Sequence, residues 1–472
     1  MPGTGVQARV RGEAPALFRS AKKRGIAFLE LRSRETSLTS VVVQDGMVDR
    51  LGAPRSRGVA VRAMARGRWG FASTSDFSPS ALRGAVEAAC DMAKNLPAGA
   101  PFFVPPPPHA DIRAESSVPM VRDPREVPLS EKVKLVARQE AAARRVPRIV
   151  HTLVGYSDEV TEQVVLNSWG LDVSTGMVRT RLRTFTVASD GRERQPAWES
   201  RSAIGGYEEM EGMDPAGFSV KAAKRAVSLL RASPCPAGVF DVVIDPLVTG
   251  LLAHEAFGHN CEADLVLSGE SILEGKEHTP VASPLVSIAD DATIPGKHGT
   301  YAYDDEGSPA QRKMLVDRGK LNGFMHGLET ASRLGVLSSG NCRAQDHQCV
   351  PIVRMSNTFI LPGADDFKGM VARIRNGLYL RGGDWGYVFV EKGQFTCNCE
   401  EGWRIRNGRL AEHLRNVSFS GMTLEALKKV EAVSREFSLG LGGMCGKNGQ
   451  GMPVDAGGPY LAIRKVVVGG QK

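Results

Sequence analysis

The sequence predicts an α+β protein: an N-terminal region of mixed strands and helices, then a strand-rich C-terminal domain carrying a metal-binding helix. Three observations lead there. Strand-like runs leave and return across Asn-x-x-Gly and Asp-Gly turns, as antiparallel strands do. Helix-period segments occur as separate blocks between those runs. A chain of 472 residues is too long for one simple core and suits two or three domains.

The first ~20 residues are polar and read as a ragged start. Ile26 to Arg32 and Ser40 to Gln44 read as two strands, with Asp45-Gly46 as a hairpin turn before the next. Gly58 to Arg62 and Gly70 to Thr74 continue the sheet, and Ser78-Pro79 opens a helix whose apolar residues recur through Met92. These form a first α+β region, residues 20–96. Residues 97–125, with Pro105 to Pro108 consecutive, read as a Pro-rich linker.

A second α+β region spans 126–235. Ser130 is a candidate N-cap for a helix reaching Arg145. Strands at His151 to Tyr156, Glu162 to Leu166 and Val173 to Val187 follow, then a helix from Pro215 to Leu230. The C-terminal domain, 238–472, starts with the apolar strand Val239 to Ile244 and a helix from Pro246. Many short strands with Gly turns complete it, ending in Tyr460 to Ile463 and Val466 to Val468.

Composition narrows the function classes. Hydrophobic content of 42% and charged content of 24% exclude wholesale disorder. The net charge of +8 is mild for this length, and its basic residues are scattered, with small clusters at Arg179–Arg183 and around Arg192 and Arg194. A nucleic-acid binder would show a basic stripe interleaved with aromatics, so no nucleic-acid partner is expected. No run approaches the ~18–20 apolar residues of a membrane span. Eight dispersed cysteines without a CxxC pair, and no export signal, point to the cytoplasm.

One stretch carries chemistry: His254-Glu255-Ala256-Phe257-Gly258-His259, followed by Asn260, Cys261, Glu262 and Asp264. Two imidazoles flanking a carboxylate on a helix are what a zinc hydrolase needs. The histidines hold the ion and Glu255 takes a proton from water. The spacing is HExxxH, however, and not the HExxH that stacks two histidines on one face. At about 100° per residue His259 lies roughly 140° around the axis from His254, so the helix must be distorted or end there, with Gly258 the candidate place. Glu255 and Glu262, at about 100° and 80°, fall between the histidines; Asp264, at about 280°, points away, and Cys261, at about 340°, reads as core.

Two histidines are too few for a catalytic zinc, which takes three protein ligands and a water. The residues leave the third open: Glu262, a distant histidine (His278, His298, His326, His347 or His413), or a thiolate such as Cys445 in a glycine-rich run. Cys397 and Cys399 would share one face of a strand and read as small core residues. Asp304-Asp305-Glu306-Gly307 reads as a turn that orders nearby strands, and Gly382-Gly383 as an ordinary hairpin or a place where a substrate backbone could lie.

The His254–Asp264 stretch resembles the TldD/PmbA family of metallopeptidases, in its TldD branch. Asp304 to Gly307, Arg354 to Thr358, Gly443 to Gln450 and Val467 to Gly470 are similar to family segments in the expected order. So are Gly58 to Arg62 with Gly70 to Thr74, and Asn167 to Gly170, so that the likeness covers about residues 25–470. Gly377 to Tyr387 and Phe395 to Cys399 fit only loosely.

The resemblance implies that His254, His259 and Cys445 hold Zn2+, with Glu255 as general base. Glu262 would orient the site or itself ligate. The TldE/PmbA-like branch lacks the metal motif, so this chain falls on the catalytic side. A zinc-dependent peptidase acting on unfolded polypeptides or peptides is implied, working as a homodimer or as a heterodimer with a TldE/PmbA-like chain. The alternative is a peptide-binding or stabilising partner subunit with no activity of its own. A metal enzyme of non-peptide substrates is a third reading.

Overall fold

The computed structural model describes residues 5–96 and 112–470. The architecture is α+β with a strand-rich C-terminal region, as the sequence predicts. Most of the expected Pro-rich linker, residues 97–111, lies outside the described residues.

An eight-stranded sheet dominates the N-terminal half. Its strands are β1 (Phe28–Gln44), β2 (Met47–Gly52), β3 (Arg55–Ala65), β4 (Arg68–Thr74), β5 (Arg113–Ser117), β6 (Ile149–Asn167), β7 (Asp172–Ser189) and β8 (Arg194–Ile204). The order is β4-β3-β1-β6-β7-β5, with β2 on β1 and β8 on β7. The two N-terminal regions therefore share one sheet, joined where β1 runs antiparallel to β6 from Glu30↔Asn167 to Gln44↔Leu153.

Local signals work where their partners are local. Asp45 and Gly46 both have positive φ, the conformation of a two-residue hairpin, and they turn β1 into β2. Ser78 caps α2 (Pro79–Asn95), accepting from the Ala81 N–H. Four expectations give way in the fold. The strands read at Ile26 to Arg32 and Ser40 to Gln44 are one, β1, because its polar middle is hydrogen-bonded to β6. The two strands read at 151–156 and 162–166 are one, because polar Ser157, Asp158 and Glu159 are hydrogen-bonded between β1 and β7. The second helix, α3 (Leu129–Arg144), starts at Leu129 with Pro128 before it and no side-chain cap, so Ser130 is inside it. The start read as ragged is α1 (Gly5–Lys23), whose Val10, Ala14, Leu17 and Ala21 are buried.

Strand alternation gives the sheet two unlike faces. Leu29, Leu31, Val59, Val61 and Val164 pack under α1 and α2, and Val41, Val154 and Leu182 pack in a second core with Leu135 and Val136 of α3. The opposite face carries Glu30, Arg32, Arg34, Gln163 and Arg179, and all but Glu30 bond into the C-terminal domain: Arg32 to the Asp346 carbonyl, Arg34 to the Ala344 carbonyl, Gln163 to Asp305, and Arg179 to the His298 carbonyl. Arg62 pairs with Glu30 at 2.9 Å and Glu306 at 2.8 Å, all three buried.

The C-terminal domain is built on a 13-stranded sheet. The last strand is not short: Gln450–Gly470 runs 21 residues and pairs with strands on several sides. Strand Gly238–Ile244 lies between it and strand Asn376–Phe389. From there the chain enters a helix that lies on both. A Cβ on Gly250 would sit 2.4 Å from the Gly457 nitrogen, so only glycine allows helix and strand this close. None of the helices among the described residues is long and apolar enough to cross a membrane.

Candidate metal centre

Asp245 caps the helix, its Oδ1 accepting the Val248 N–H at 2.8 Å, and Pro246 occupies the first turn, where a missing N–H does no harm. Six α-helical residues, Pro246–Leu251, lead into a π-helical turn, Leu252–Gly258, and a 3-10 turn, His259–Cys261. The His259 N–H bonds to the His254 carbonyl, five residues back. That closure resolves the angular problem of HExxxH. A π turn, closed by an i→i+5 bond, brings residues five apart onto one face, as an α turn does residues four apart. The distortion is spread over 252–258 and does not depend on glycine flexibility at Gly258, whose φ is −57. Gly258 is needed for space, because a Cβ there would meet the Met355 sulfur at 2.1 Å.

Cys445 arrives from strand Gly443–Lys447, which pairs with the last strand as Cys445↔Met452. Its Sγ lies 3.4 Å from His259 Nε2. Ligand atoms of His254, His259 and Cys445 all lie within 4.8 Å of one another, and all three residues are buried. The two imidazole rings are 5.2 Å apart at 81°. Glu255 Oε2 is 4.0 Å from His259 Nε2, and the Glu255 side chain, 19% exposed, is the more open member of that pair. Gly386 backs it: a Cβ there would be 2.7 Å from Glu255 Cγ.

Behind the donors is a charged brace. His259 Nδ1 lies 3.0 Å from Glu262 Oε2, which also faces Lys447 Nζ at 3.2 Å. Lys447 donates in turn to Asp264 at 2.7 Å and to the Val353 carbonyl at 3.0 Å. Arg354, fully buried, donates to the carbonyls of Gln450 and Cys445 and so holds the strand that carries the thiol.

Electrostatics follow from burial and these neighbours. Burial works against charge on His254 and His259, but the Cys445 thiolate at His254, and Glu262 followed by that thiolate at His259, outweigh it and raise both, His259 well above the usual imidazole range. Burial would raise the Cys445 thiol; the two histidines overcome that and hold it well below its ordinary value. Burial raises Glu255. Glu262 is buried too, yet Lys447 and His259 bring it down to about 2.

Two imidazoles and a thiolate, buried and converging, are a donor set that suits zinc, and the buried His254 Nδ1 has no hydrogen-bond partner. Glu262 sits on the far side of His259, its Oε2 bonded to Nδ1 and not among the converging atoms.

Other sequence-marked residues are elsewhere. His347 contacts Ser75, His413 contacts Glu401, His298 and His326 are buried apart, and His278 is exposed. Cys261, Cys397 and Cys399 are buried in the core around the helix. The Asp304–Gly307 turn does order strands: Asp304 accepts from the N–H groups of Glu306, Ser308 and Cys342. Gly382 and Gly383 offer no open strand face, since a Cβ on either would meet Glu400 or the Leu247 carbonyl. Lys447 and Arg354 are the residues that sequence reasoning missed. Strand alternation could have found Lys447, two residues past Cys445 and so on its face; nothing local marks Arg354.

The comparisons agree over most of the described chain. Residues 29–93 match PmbA/TldA metallopeptidase domain 1, residues 122–230 its central domain, and residues 237–470 its C-terminal domain. A protein of Methanothermobacter thermautotrophicus named a metalloprotease is 40% identical, covering 94% of this chain and 96% of its own length. A zinc metalloprotease TldD homolog of Saccharolobus solfataricus is 30% identical over 69% of this chain and 72% of its own. Among solved structures, TldE from Thermococcus kodakarensis has the same fold, with a TM-score of 0.73 at 18% identity over 97% of this chain and 100% of that one. With three consecutive family domains matched and a relative at 40% identity over nearly its full length, the chain belongs to the PmbA/TldD family of metallopeptidases.

Proposed function

We propose that this chain is a zinc-dependent peptidase of the TldD type, with unfolded polypeptides or peptides as substrates. The observation that carries the reading is the convergence of His254, His259 and Cys445 beside a partly open Glu255. His254, His259 and Cys445 would hold the ion. Bound there, zinc polarises a carbonyl and lowers the pKa of a water. Glu255, raised by burial, is suited to take a proton from that water and return it to the leaving amine. Glu262 keeps the His259 ring oriented through Nδ1, which leaves Nε2 directed toward Cys445. Lys447 and Asp264 neutralise and hold Glu262. A homodimer, or a pair with a TldE/PmbA-like chain, belongs to the same reading and is supported by the family likeness; a cytoplasmic location is supported by the dispersed cysteines.

The test is zinc content and cleavage of an unfolded protein such as reduced casein, for the chain and for Glu255→Gln. Cleavage by the chain, lost in the variant while zinc stays, is expected. Zinc with no cleavage by the chain alone, and cleavage on adding a second family member that persists when this chain carries Glu255→Gln, would make it a stabilising subunit instead.

A further inference from the structure

A cavity of about 530 Å³ lies between the inner face of the N-terminal sheet and the C-terminal domain. Arg34 of β1 and Arg179 of β7 form one side, Arg343 and Tyr301 another, and Met444, the residue before Cys445, a third. The hairpin that presents the thiol to the metal centre is thus also a wall of this cavity. Along β7, alternation places Arg181 and Arg183 on the same face as Arg179.

The direct hydrogen bonds of these arginines go to neutral groups, and their carboxylate neighbours stand farther off. Arg34 Nη1 donates to the Ala344 and Gln345 carbonyls, and its buried Nε has no partner. Arg179 donates to the carbonyls of His298 and Thr300, and Arg343 to that of Met355 while its guanidinium lies 4.8 Å over the Tyr301 ring. Arg181 donates to the Ser200 hydroxyl and Arg183 stacks at 4.5 Å on Trp198. None of the five is in an ion pair within 4.0 Å among the described residues, although such pairs are common elsewhere in the chain.

The nearby carboxylates are already engaged. Asp304 is taken up by three backbone N–H groups. Asp305 accepts from Gln163 and the Ala344 N–H, and against its burial Arg34 and then Arg32, the latter at 3.8 Å, hold it below the usual carboxylate range. Glu159, which accepts only the Thr161 hydroxyl at 3.3 Å, is the loosely held one. Burial, with Arg343 and Arg34 adding to it against the pull of Glu159, lowers Arg179 to about 10. Carbonyl-held guanidiniums are fixed in place but keep their charge, which is the arrangement that receives a carboxylate in two-point contact.

We infer that this wall is a specificity surface for acidic peptide segments: Asp or Glu side chains flanking the bond to be cleaved are bound by Arg34, Arg179 and Arg343, with Arg181 and Arg183 extending the track. The inference rests on the peptidase reading. A peptide is favoured over a nucleic acid because the aromatic rings lining the cavity are already packed: Tyr301 is buried and covered by Arg343, and half-buried Tyr303 packs against the cluster of Val165, Leu171 and Val173.

The experiment uses the full chain loaded with zinc and three otherwise identical nonapeptides bearing Glu, Gln or Lys beside the cleaved bond. The Glu peptide should exceed the Gln peptide in kcat/KM by on the order of tenfold and the Lys peptide by more, with the ratio shrinking at high salt. Arg34→Gln should bring the Glu/Gln ratio toward one. Arg183→Gln, at an exposed position and therefore safe for folding, should lower it by a smaller factor. Equal rates for all three peptides would overturn the inference and leave the peptidase intact. If no peptide is cleaved, the peptidase reading is the one in trouble, and anisotropy of the same labelled peptides on the Glu255→Gln chain still decides: Glu bound more tightly than Gln sustains the wall, equal binding removes it. A single-stranded oligonucleotide bound more tightly than the Glu peptide would also overturn the assignment.

Discussion

Two of the buried charged clusters among the described residues are built on opposite plans. Around Arg62, Glu30 and Glu306 every strong group is answered from within: Arg62 reaches both glutamates, and Glu306 also accepts the Leu328 N–H. Around His259 the answers come only from behind, through Glu262 and Lys447, while His259 Nε2 and the Cys445 sulfur face each other and Glu255 stays partly open. The first cluster is closed and ties the two halves of the molecule together. The second is braced on one side and left reactive on the other. Burial alone therefore says little about role; what separates the two is whether the last donor or acceptor is supplied by the chain.

The largest break in this comparison should come from Glu255→Gln. Cleavage should fall by about a hundred- to ten-thousandfold with zinc retained, since only proton transfer is removed; loss of zinc along with activity would make Glu255 part of the brace. Next, Arg62→Met leaves Glu30 and Glu306 buried without their cation. Urea unfolding should show a loss of about 3–5 kcal/mol, and zinc content of the folded fraction should not change. Cys445→Ser should do the reverse, weakening zinc by about a hundredfold or more while the metal-free chain unfolds nearly as before. Glu262→Gln tests the brace itself: zinc affinity should drop about ten- to a hundredfold, measured by competition with a chelator.

The smallest effect sharpens the contrast among histidines. His298 is lowered to about 3, by burial first and then by Arg179 and Arg181, and burial alone lowers His326 to about 4. Both stay neutral in the fold while the unfolded chain takes up protons below about 6.5. Their contribution to stability is therefore present above that pH and lost as pH falls toward 3–4. His298→Gln should flatten the acid limb of a stability–pH curve between about 6.5 and 3; an unchanged limb would show that His298 is not held neutral.

Local chemistry was readable without the fold. Asp45-Gly46, the Ser78 cap, the Asp245-Pro246 helix start and the His254-Glu255-His259 pattern each depend on residues a few positions apart. Where the determining partner is distant, reading stopped. Ser157 to Glu159 look like a break in a strand until β1 and β7 flank them. Gly382-Gly383 look like an open surface until Leu247 and Glu400 fill the space beside them. Arg354 carries no local mark, because its work is done on carbonyls of Cys445 and Gln450, about ninety residues away.

By itself, then, the sequence determined the α+β class, the HExxxH pattern and the donor types of the candidate metal centre, because alternation, caps and donor chemistry are properties of short segments. The tertiary structure alone decided that the HExxxH helix widens into a π turn, that a strand almost two hundred residues later delivers Cys445 to the same point, and that Lys447 and Glu262 stand behind it. Those outcomes depend on packing between the helix, Met355 and the last strand, and packing between distant segments leaves no period in the chain to read.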